Sequence, residues 1–335
     1  MKFFLVTGAT GFIGRRLLPR LVGDDRAVRV MVRDPVGLPL PLGGQVEIVH
    51  GGLGDPDAAD RAMRGVTHVL HLAALATACA RDDTQYDRLN AAAVQVLLSA
   101  AARHRVTRFV HVSSMAALAP LAPTRAGGAS RRSTPYARSK VASEDLVHRY
   151  VAAGHDAVIV RPTRVYGPGP WNDANGTTRL IAMYLNGNLR IRLRDGDVRS
   201  NYVHVDDVAR GIELAALHGR CGAAYNLGGE NASLRGFFAA VAEVSAVRRV
   251  MVPIAPGAVL PVAVLAKAWC RLGGRTSLTP EWLDYFLEDR PVDSDMARED
   301  LGYDPLPLRD GLRRTIAWLQ DQEKGPWHVP VLQHA

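Results

Sequence analysis

The sequence predicts a doubly wound α/β fold, a parallel sheet with helices on both faces, followed by a smaller, mostly helical C-terminal region. Three observations carry that expectation. Short apolar runs rich in Val, Ile and Phe alternate with helical patterns through the first half of the chain, as βαβ units require. A glycine-rich loop with Gly8, Gly11 and Gly14 joins the first such run to the first helical pattern. The alternation loosens past Arg161-Pro162, where Gly167-Pro168-Gly169-Pro170 interrupts any regular element.

In chain order, Phe3 to Val6 reads as the first strand and Phe12 to Val22 as the helix after it. Ala27 to Val32 is strand two, closed by the turn Asp34-Pro35, and Leu38 to Gly44 is a loop. Val46 to Val49 is strand three, Ala58 to Arg64 a helix, and Thr67 to Leu72 strand four. Asn90 to His104 is alanine-rich with helical spacing, and Arg108 to Val112 is strand five. Pro135 to Ala153 forms the next helix and Ala157 to Val160 strand six. A return strand at Tyr202 to Val205, a helix at Val208 to Leu217 and a strand at Ala224 to Leu227 follow, and an amphipathic helix from Asp310 to Gln320 ends the pattern. The dinucleotide-binding unit is therefore expected over 1–165, with a return segment at about 200–228, and the substrate-binding region over 166–199 and 229–325.

The 335 residues, 47% hydrophobic and 22% charged, are ordinary for a globular protein. The net charge of +8 comes mostly from scattered arginines, since only Lys2, Lys140, Lys267 and Lys324 are lysines, and scattering argues against nucleic-acid binding. Cys79, Cys221 and Cys270 form no CxxC pair and indicate neither a disulfide framework nor a metal site, which fits a cytoplasmic location. The first apolar run belongs to a strand, so no leader is read there. Val250 to Ala266 is apolar but interrupted by Pro253, Pro256 and Pro261, and reads as a greasy surface or pocket wall instead of a membrane span.

Small residues at Gly8, Gly11 and Gly14 let the backbone approach a pyrophosphate, whose charge meets the N–H groups opening the next helix. The end of strand two selects the cofactor: a carboxylate there accepts a ribose hydroxyl, while an arginine suits a 2'-phosphate. Counting along Val32-Arg33-Asp34 puts Arg33 at that position, so NADP is expected, with NAD through Asp34 as the alternative. Tyr136 and Lys140, four apart on a helix, share one face, and a cation beside a phenol lets it exchange a proton near neutrality. Ser113-Ser114 follows strand five at the sheet edge where ligands bind, and reads equally as a cap or as a hydroxyl that orients a carbonyl.

These residues bring a resemblance into view. The chain resembles the extended short-chain dehydrogenases/reductases, the NAD-dependent epimerase/dehydratase superfamily, over nearly its whole length. The resemblance rests on Thr7-Gly8-Ala9-Thr10-Gly11-Phe12-Ile13-Gly14, His71-Leu72-Ala73-Ala74, Val112-Ser113-Ser114, Tyr136-Ala137-Arg138-Ser139-Lys140 and Arg161-Pro162-Thr163-Arg164-Val165-Tyr166-Gly167-Pro168. It continues through Tyr202-Val203-His204-Val205-Asp206-Asp207-Val208-Ala209 and Asp300-Leu301-Gly302-Tyr303-Asp304-Pro305. It implies a Rossmann-type sheet and a catalytic triad of Ser114, Tyr136 and Lys140. It also implies a cofactor site built from Gly8, Thr10, Gly11, Phe12, Ile13, Gly14, Leu72, Ala73, Ala74 and, beside the nicotinamide, Pro162. Asp206 and Asp207 would be structural. Val30 to Pro35 looks most like the dihydroflavonol-reductase and 3β-hydroxysteroid-dehydrogenase-like branches, where Arg33 would accompany NADP.

Two departures qualify the likeness. Gly51-Gly52-Leu53 lacks the acid that members often carry after strand three, which leaves Gly52 and Leu53 to contact the adenine. Ser200-Asn201 precedes Tyr202 where UDP-sugar epimerases carry Arg-Asp, with Arg199 one position off. The leading expectation is an NADP-dependent reductase of a hydrophobic or aromatic ketone or aldehyde, with the substrate against residues near Trp171, Tyr184 and the apolar Val250 to Ala266 stretch. The alternatives are a nucleotide-sugar epimerase or dehydratase that recycles NAD, and a non-catalytic dinucleotide sensor. Family pairing implies a homodimer through the helices at Asn90 to His104 and after Tyr136, with no nucleic acid or metal involved.

Overall fold

The computed structural model describes all residues except 24, 39–45, 78–79, 81, 119–133, 194–195, 275, 277–282, 284–286, 288 and 323–335. Nearly all of the loop expected at Leu38 to Gly44 lies outside the described residues, as does Cys79. The strands are β1 (Lys2–Thr7), β2 (Arg26–Val32), β3 (Val46–His50), β4 (His68–His71), β5 (Arg108–Val112), β6 (Ala157–Pro162), β7 (Arg164–Tyr166), β8 (Ile191–Leu193), β9 (Arg199–His204), β10 (Ala224–Leu227), β11 (Glu230–Ser233) and β12 (Val252–Ile254). Seven of them form one parallel sheet in the order β10-β6-β5-β4-β1-β2-β3. The return strand β9 does not join that sheet; it pairs with β11 and β7 in a separate three-stranded sheet.

Central strands are buried on both faces and so read as apolar runs, with every residue of β4 buried, while the edge strand β3 leaves Ile48 exposed. The helices are α1 (Gly14–Leu21), α2 (Pro56–Met63), α3 (Ala93–Arg103), α4 (Pro135–Ala152), α5 (Gly176–Leu185), α6 (Val205–His218), α7 (Leu234–Ser245), α8 (Pro256–Arg271), α9 (Asp295–Leu301) and α10 (Leu308–Gln322). On one face of the sheet Leu17, Leu18 and Leu21 of α1 pack with Val208 and Ile212 of α6. On the other, Ala58 and Met63 of α2 meet Leu97 of α3 and Val147 of α4. A third core centres on Tyr166, Phe237, Leu312 and Ile316 in the C-terminal half.

Local sequence explains the starts of the helices. Asp55 caps α2 by accepting from the N–H groups of Asp57 and Ala58, and Thr134 caps α4 by accepting from Ala137, in each case with proline at the first helical position. The α3 segment begins earlier than its alanine-rich pattern predicts. It is preceded by a helical turn at Thr84–Tyr86 and a π-helical stretch at Asp87–Ala92, which widens the helix around Asn90. The prolines of 250–266 do not prevent a helix: Pro256 opens α8 and Pro261 is accommodated within it. Among the described residues no helix is long and apolar enough to cross a membrane.

The sheet order reverses between β1 and its neighbours β2 and β4, so the loops leaving their C-terminal ends diverge and open a crevice. That crevice positions the site.

Candidate active site

A cavity of about 1690 Å³ runs from the β1–α1 loop across the ends of β4, β5 and β6 to α5, α7 and α8. Every residue proposed from the sequence for cofactor or catalysis lines it. At its floor, Gly11 N–H donates to the carbonyl of Gly8 at 3.0 Å. Gly8 has φ +76°, and a Cβ there would lie 2.7 Å from the backbone nitrogen of Ala73. A Cβ on Gly14 would collide with the Gly8 carbonyl, so the loop needs both glycines to close against the β4 end and open α1. Such a cradle at the α1 N-terminus has the open backbone and N–H groups that could hold a dinucleotide pyrophosphate. Thr10, Phe12 and Ile13 complete it, with Phe12 buried against Gly169.

At the end of β2, Arg33 is exposed and lines the cavity beside Gly52 and Leu53. The carboxylate of Asp34 accepts from the Val36 N–H at 2.9 Å, so the side chain next to Arg33 serves the turn. Leu72, Ala73 and Ala74 form the opposite wall, held to β1 by Leu72 N–H donating to the Thr7 carbonyl at 3.1 Å. Pro162, at the end of β6, lines the wall beyond them.

The catalytic candidates converge from three elements. Ser114 follows β5, and its oxygen accepts from the Ala116 N–H at 3.2 Å while the residue lines the cavity. The cap and the functional reading are thus compatible, since capping uses the oxygen as acceptor and leaves the O–H donor for a substrate. Tyr136 sits in the first turn of α4, its ring edge-on to Tyr86 at 6.3 Å. Lys140 is 3% exposed and donates from Nζ to the Val112 carbonyl at 3.0 Å. Burial holds its pKa down at about 8, opposed by the nearby Glu144 carboxylate.

Beneath Lys140 lies a buried histidine pair that sequence reading missed. The rings of His71 and His111 stack at 5.5 Å; His71 Nδ1 is 2.7 Å from the Thr7 hydroxyl, and His111 Nε2 is 2.9 Å from Ser143 Oγ. Burial, and then the Lys140 charge, push His71 down to about 3 and His111 well below its ordinary range. Both rings are therefore neutral near pH 7, and the positive charge at this place belongs to Lys140. The available signal was a histidine near the end of each of the neighbouring strands β4 and β5, which the parallel register sets opposite each other.

Asn90 was also missed. Buried in the π-helical stretch, it accepts from Leu75 N–H at 2.6 Å and donates to the Leu75 carbonyl at 3.0 Å and to Ser139 Oγ at 3.1 Å. It thereby ties the loop of the cofactor wall to the helix carrying Tyr136 and Lys140.

At the substrate end Trp171 packs against Trp318 at 5.9 Å and Tyr184 is buried and stacked on Phe238, while their chain neighbours Asn172, Asp173 and Met183 line the cavity. Of the 250–266 stretch only Met251 and Val259 line the cavity, beside Leu180, Met183 and Phe238. Arg199 lies outside it, paired with Asp289 at 3.6 Å, and Asn201 is a buried hub that accepts from Thr163 Oγ1 and Gly229 N–H, both at 2.8 Å. Asp206 pairs with Arg16, and Asp207 accepts from Leu306 N–H at 3.1 Å, both as structural links. Cys221 is a free exposed thiol, whereas Cys270 is disulfide-bonded, a bridge the cysteine spacing gave no reason to expect. Among the described residues no cluster of metal-ligating side chains occurs.

Comparison with known proteins agrees with this geometry. A sequence model of the NAD dependent epimerase/dehydratase family matches residues 4–228. The chain is 41% identical over 165 residues to the ceramide reductase of Caulobacter vibrioides (strain NA1000 / CB15N), covering 49% of this chain and 46% of that protein, so less than half of that relative's length is matched. It is 29% identical over 353 residues to the dTDP-glucose 4,6-dehydratase of Streptomyces griseus, covering 98% and 96%. The crystal structure of gox2253 superposes with a TM-score of 0.78 at 30% identity, covering 97% of this chain and 99% of that one. The chain belongs to the NAD-dependent epimerase/dehydratase family and is an NAD(P)-dependent enzyme of the extended short-chain dehydrogenase/reductase type.

Proposed function

We propose that this protein is an NADP-dependent carbonyl reductase, acting reversibly on a ketone or aldehyde of a small, largely apolar molecule. The observation that carries the reading is the lack of an acid beside Ser114. Met115 and Ala116 come next, and the chain has no Asp or Glu from Arg88 to Ser143. Expelling a hydroxyl from a sugar needs an acid to protonate it and a base to take the neighbouring proton. The acids lining the cavity are Asp34, Asp83 and Asp173, none of them on the segment leaving β5 or on α4. Tyr136, Ser114 and Lys140 suffice for carbonyl reduction.

When bound, the reduced nicotinamide supplies the hydride that the carbonyl carbon accepts. Tyr136 gives its phenolic proton to the carbonyl oxygen as charge develops there, and the Ser114 hydroxyl donates to the same oxygen. Lys140, the cation above two neutral histidines, lowers the cost of the tyrosinate that results. Arg33 meets the 2'-phosphate, since Asp34 already serves its own turn. Leu180, Met183, Phe238, Met251 and Val259 present an apolar wall to the substrate. The dinucleotide-binding domain comprises residues 1–165 with the return segment at about 200–228, and the substrate is held by 166–199 and 229–325. Two copies pair through α3 and α4.

A second reading, turnover of a nucleotide sugar with recycled cofactor, draws on the dehydratase relative and on Arg164, Arg179 and Arg192 along the cavity, which would suit a diphosphate. Stoichiometry separates the two. Purified protein with NADPH and a panel of apolar ketones should oxidise one NADPH per alcohol formed, and the Tyr136→Phe variant should not. Conversion of a dTDP- or UDP-sugar without net NADPH oxidation, and no ketone turnover, would reverse the assignment.

A further inference from the structure

Helix α8 turns its apolar residues outward. Leu260 is 48% exposed, Leu265 71% and Leu272, just past its end, 82%, with Val262, Val264 and Trp269 more than half exposed among them. Val250 and Val252, before and within β12, extend the same kind of surface. Ala263 and Cys270 are the buried residues of this helix, so the usual arrangement of an apolar face inward and a polar face outward is absent. A contiguous apolar surface of this kind on a soluble protein marks an interaction site. We infer that the exposed face of α8 docks on an anionic lipid bilayer and seats the mouth of the active-site cavity there.

Charge selects the bilayer over other occupants. The described residues 244–274, which include α8, contain no Asp or Glu but include Arg248, Arg249, Lys267 and Arg271. Arg248 and Arg271 are exposed, and Arg249 donates to the Leu185 carbonyl at 2.7 Å. A two-fold interface between copies would bring the exposed Arg248 and Arg271 towards their own counterparts, whereas acidic headgroups neutralise them. The helix has 16 residues, about 24 Å at 1.5 Å per residue, too short to span a hydrocarbon core of about 30 Å, so it lies in the interfacial plane, where Trp269 is at home. Position supplies the second reason. Val259, Lys267 and Arg271 of the same helix line the cavity, so one face of α8 would touch lipid while another borders the substrate space.

Vesicle binding needs no turnover, so its outcome is independent of the reaction assigned above. Full-length protein is mixed with sedimentable vesicles of phosphatidylcholine alone or with phosphatidylglycerol, with and without added salt. Co-sedimentation with the anionic vesicles, weakened by salt, is expected, and Leu260→Glu/Leu265→Glu should bind at least about tenfold less. Both leucines lie outside the cavity lining, so NADPH binding by the variant should be unchanged and reports its folding. Absence of co-sedimentation, or a variant that binds vesicles like the parent, overturns the inference. So does light scattering that finds a dimer converted to monomer by the variant with no vesicle binding by either form, since the face then belongs to a second copy.

Discussion

Lys140 reaches back from α4 to donate its ammonium proton to the Val112 carbonyl at 3.0 Å, joining the helix that carries Tyr136 to the strand that presents Ser114. The link holds two catalytic candidates in one frame and keeps the ammonium dry. Its pKa of about 8 makes the charge titratable in an accessible range. The kcat/KM profile of the free enzyme should therefore fall as pH rises through about 8, as Lys140 loses its proton. Lys140→Met should remove that limb and lower the rate by roughly 10²–10⁴-fold. A profile flat to pH 10 in the parent would contradict the role.

The same burial has a stability consequence of definite sign. A folded pKa below the unfolded value means that the native state binds fewer protons between the two. Stability attributable to this group therefore rises with pH from about 8 towards 10.5 and is lowest, fully penalised, below 8. The displacement corresponds to roughly 3 kcal/mol against the charged form. Lys140→Met should be at least as stable as the parent at pH 7, and its advantage should shrink by pH 10, as thermal unfolding at both values would reveal.

How much of this was legible beforehand depended on range. Tyr136 and Lys140 were found because helical spacing is a local property, and Gly8 and Gly14 because a tight turn leaves a mark in the residues that make it. That Asn172, Asp173 and Met183 line the cavity while the neighbouring Trp171 and Tyr184 do not was not legible, because an aromatic side chain is equally apt for a core or a pocket, and only packing against Trp318 and Phe238 decides. Asn90 escaped because its partners, Leu75 and Ser139, are 15 and 49 residues away. The prolines of 250–266 were read as breakers, yet Pro256 occupies the first turn of α8, where its missing N–H costs nothing.

Arg33 gives the cofactor prediction. Arg33→Glu should weaken NADPH binding by roughly 10–100-fold, the scale of one charge-assisted contact of about 1.5–3 kcal/mol, and leave NADH binding nearly unchanged. Titration calorimetry with both cofactors measures it. Equal loss for both would mean that Arg33 supports the turn instead of a 2'-phosphate.

Asn90→Ala tests the strap between the cofactor wall and α4. The substitution leaves the half-buried N–H and carbonyl of Leu75 without their partner, at up to about 1–3 kcal/mol where water cannot replace it. The melting temperature should drop and NADPH affinity fall with it, because the wall at Leu72 to Ala74 loses its anchor. Retained affinity in a destabilised protein would separate the strap from the site.

Asn201 offers the sharpest distinction between structure and substrate recognition on the return strand. Its Nδ2 donates to the Gly229 carbonyl at 3.2 Å, to Asn231 Oδ1 at 2.9 Å and to the Val292 carbonyl at 3.1 Å, joining β9 to segments 28 to 91 residues away. Asn201→Asp keeps the shape but replaces the donor that faces these three acceptors with an acceptor oxygen. Only the protonated acid can still donate one of these bonds, so its folded pKa must rise above the unfolded value of about 3.9. The variant should lie nearest the parent in stability below pH 4 and lose ground as pH rises through its folded pKa, a trend that melting curves between pH 4 and 8 would expose. A difference in stability that does not vary with pH would mean that the amide protons do not hold this junction, and the departure at Ser200-Asn201 would then need a substrate to explain it.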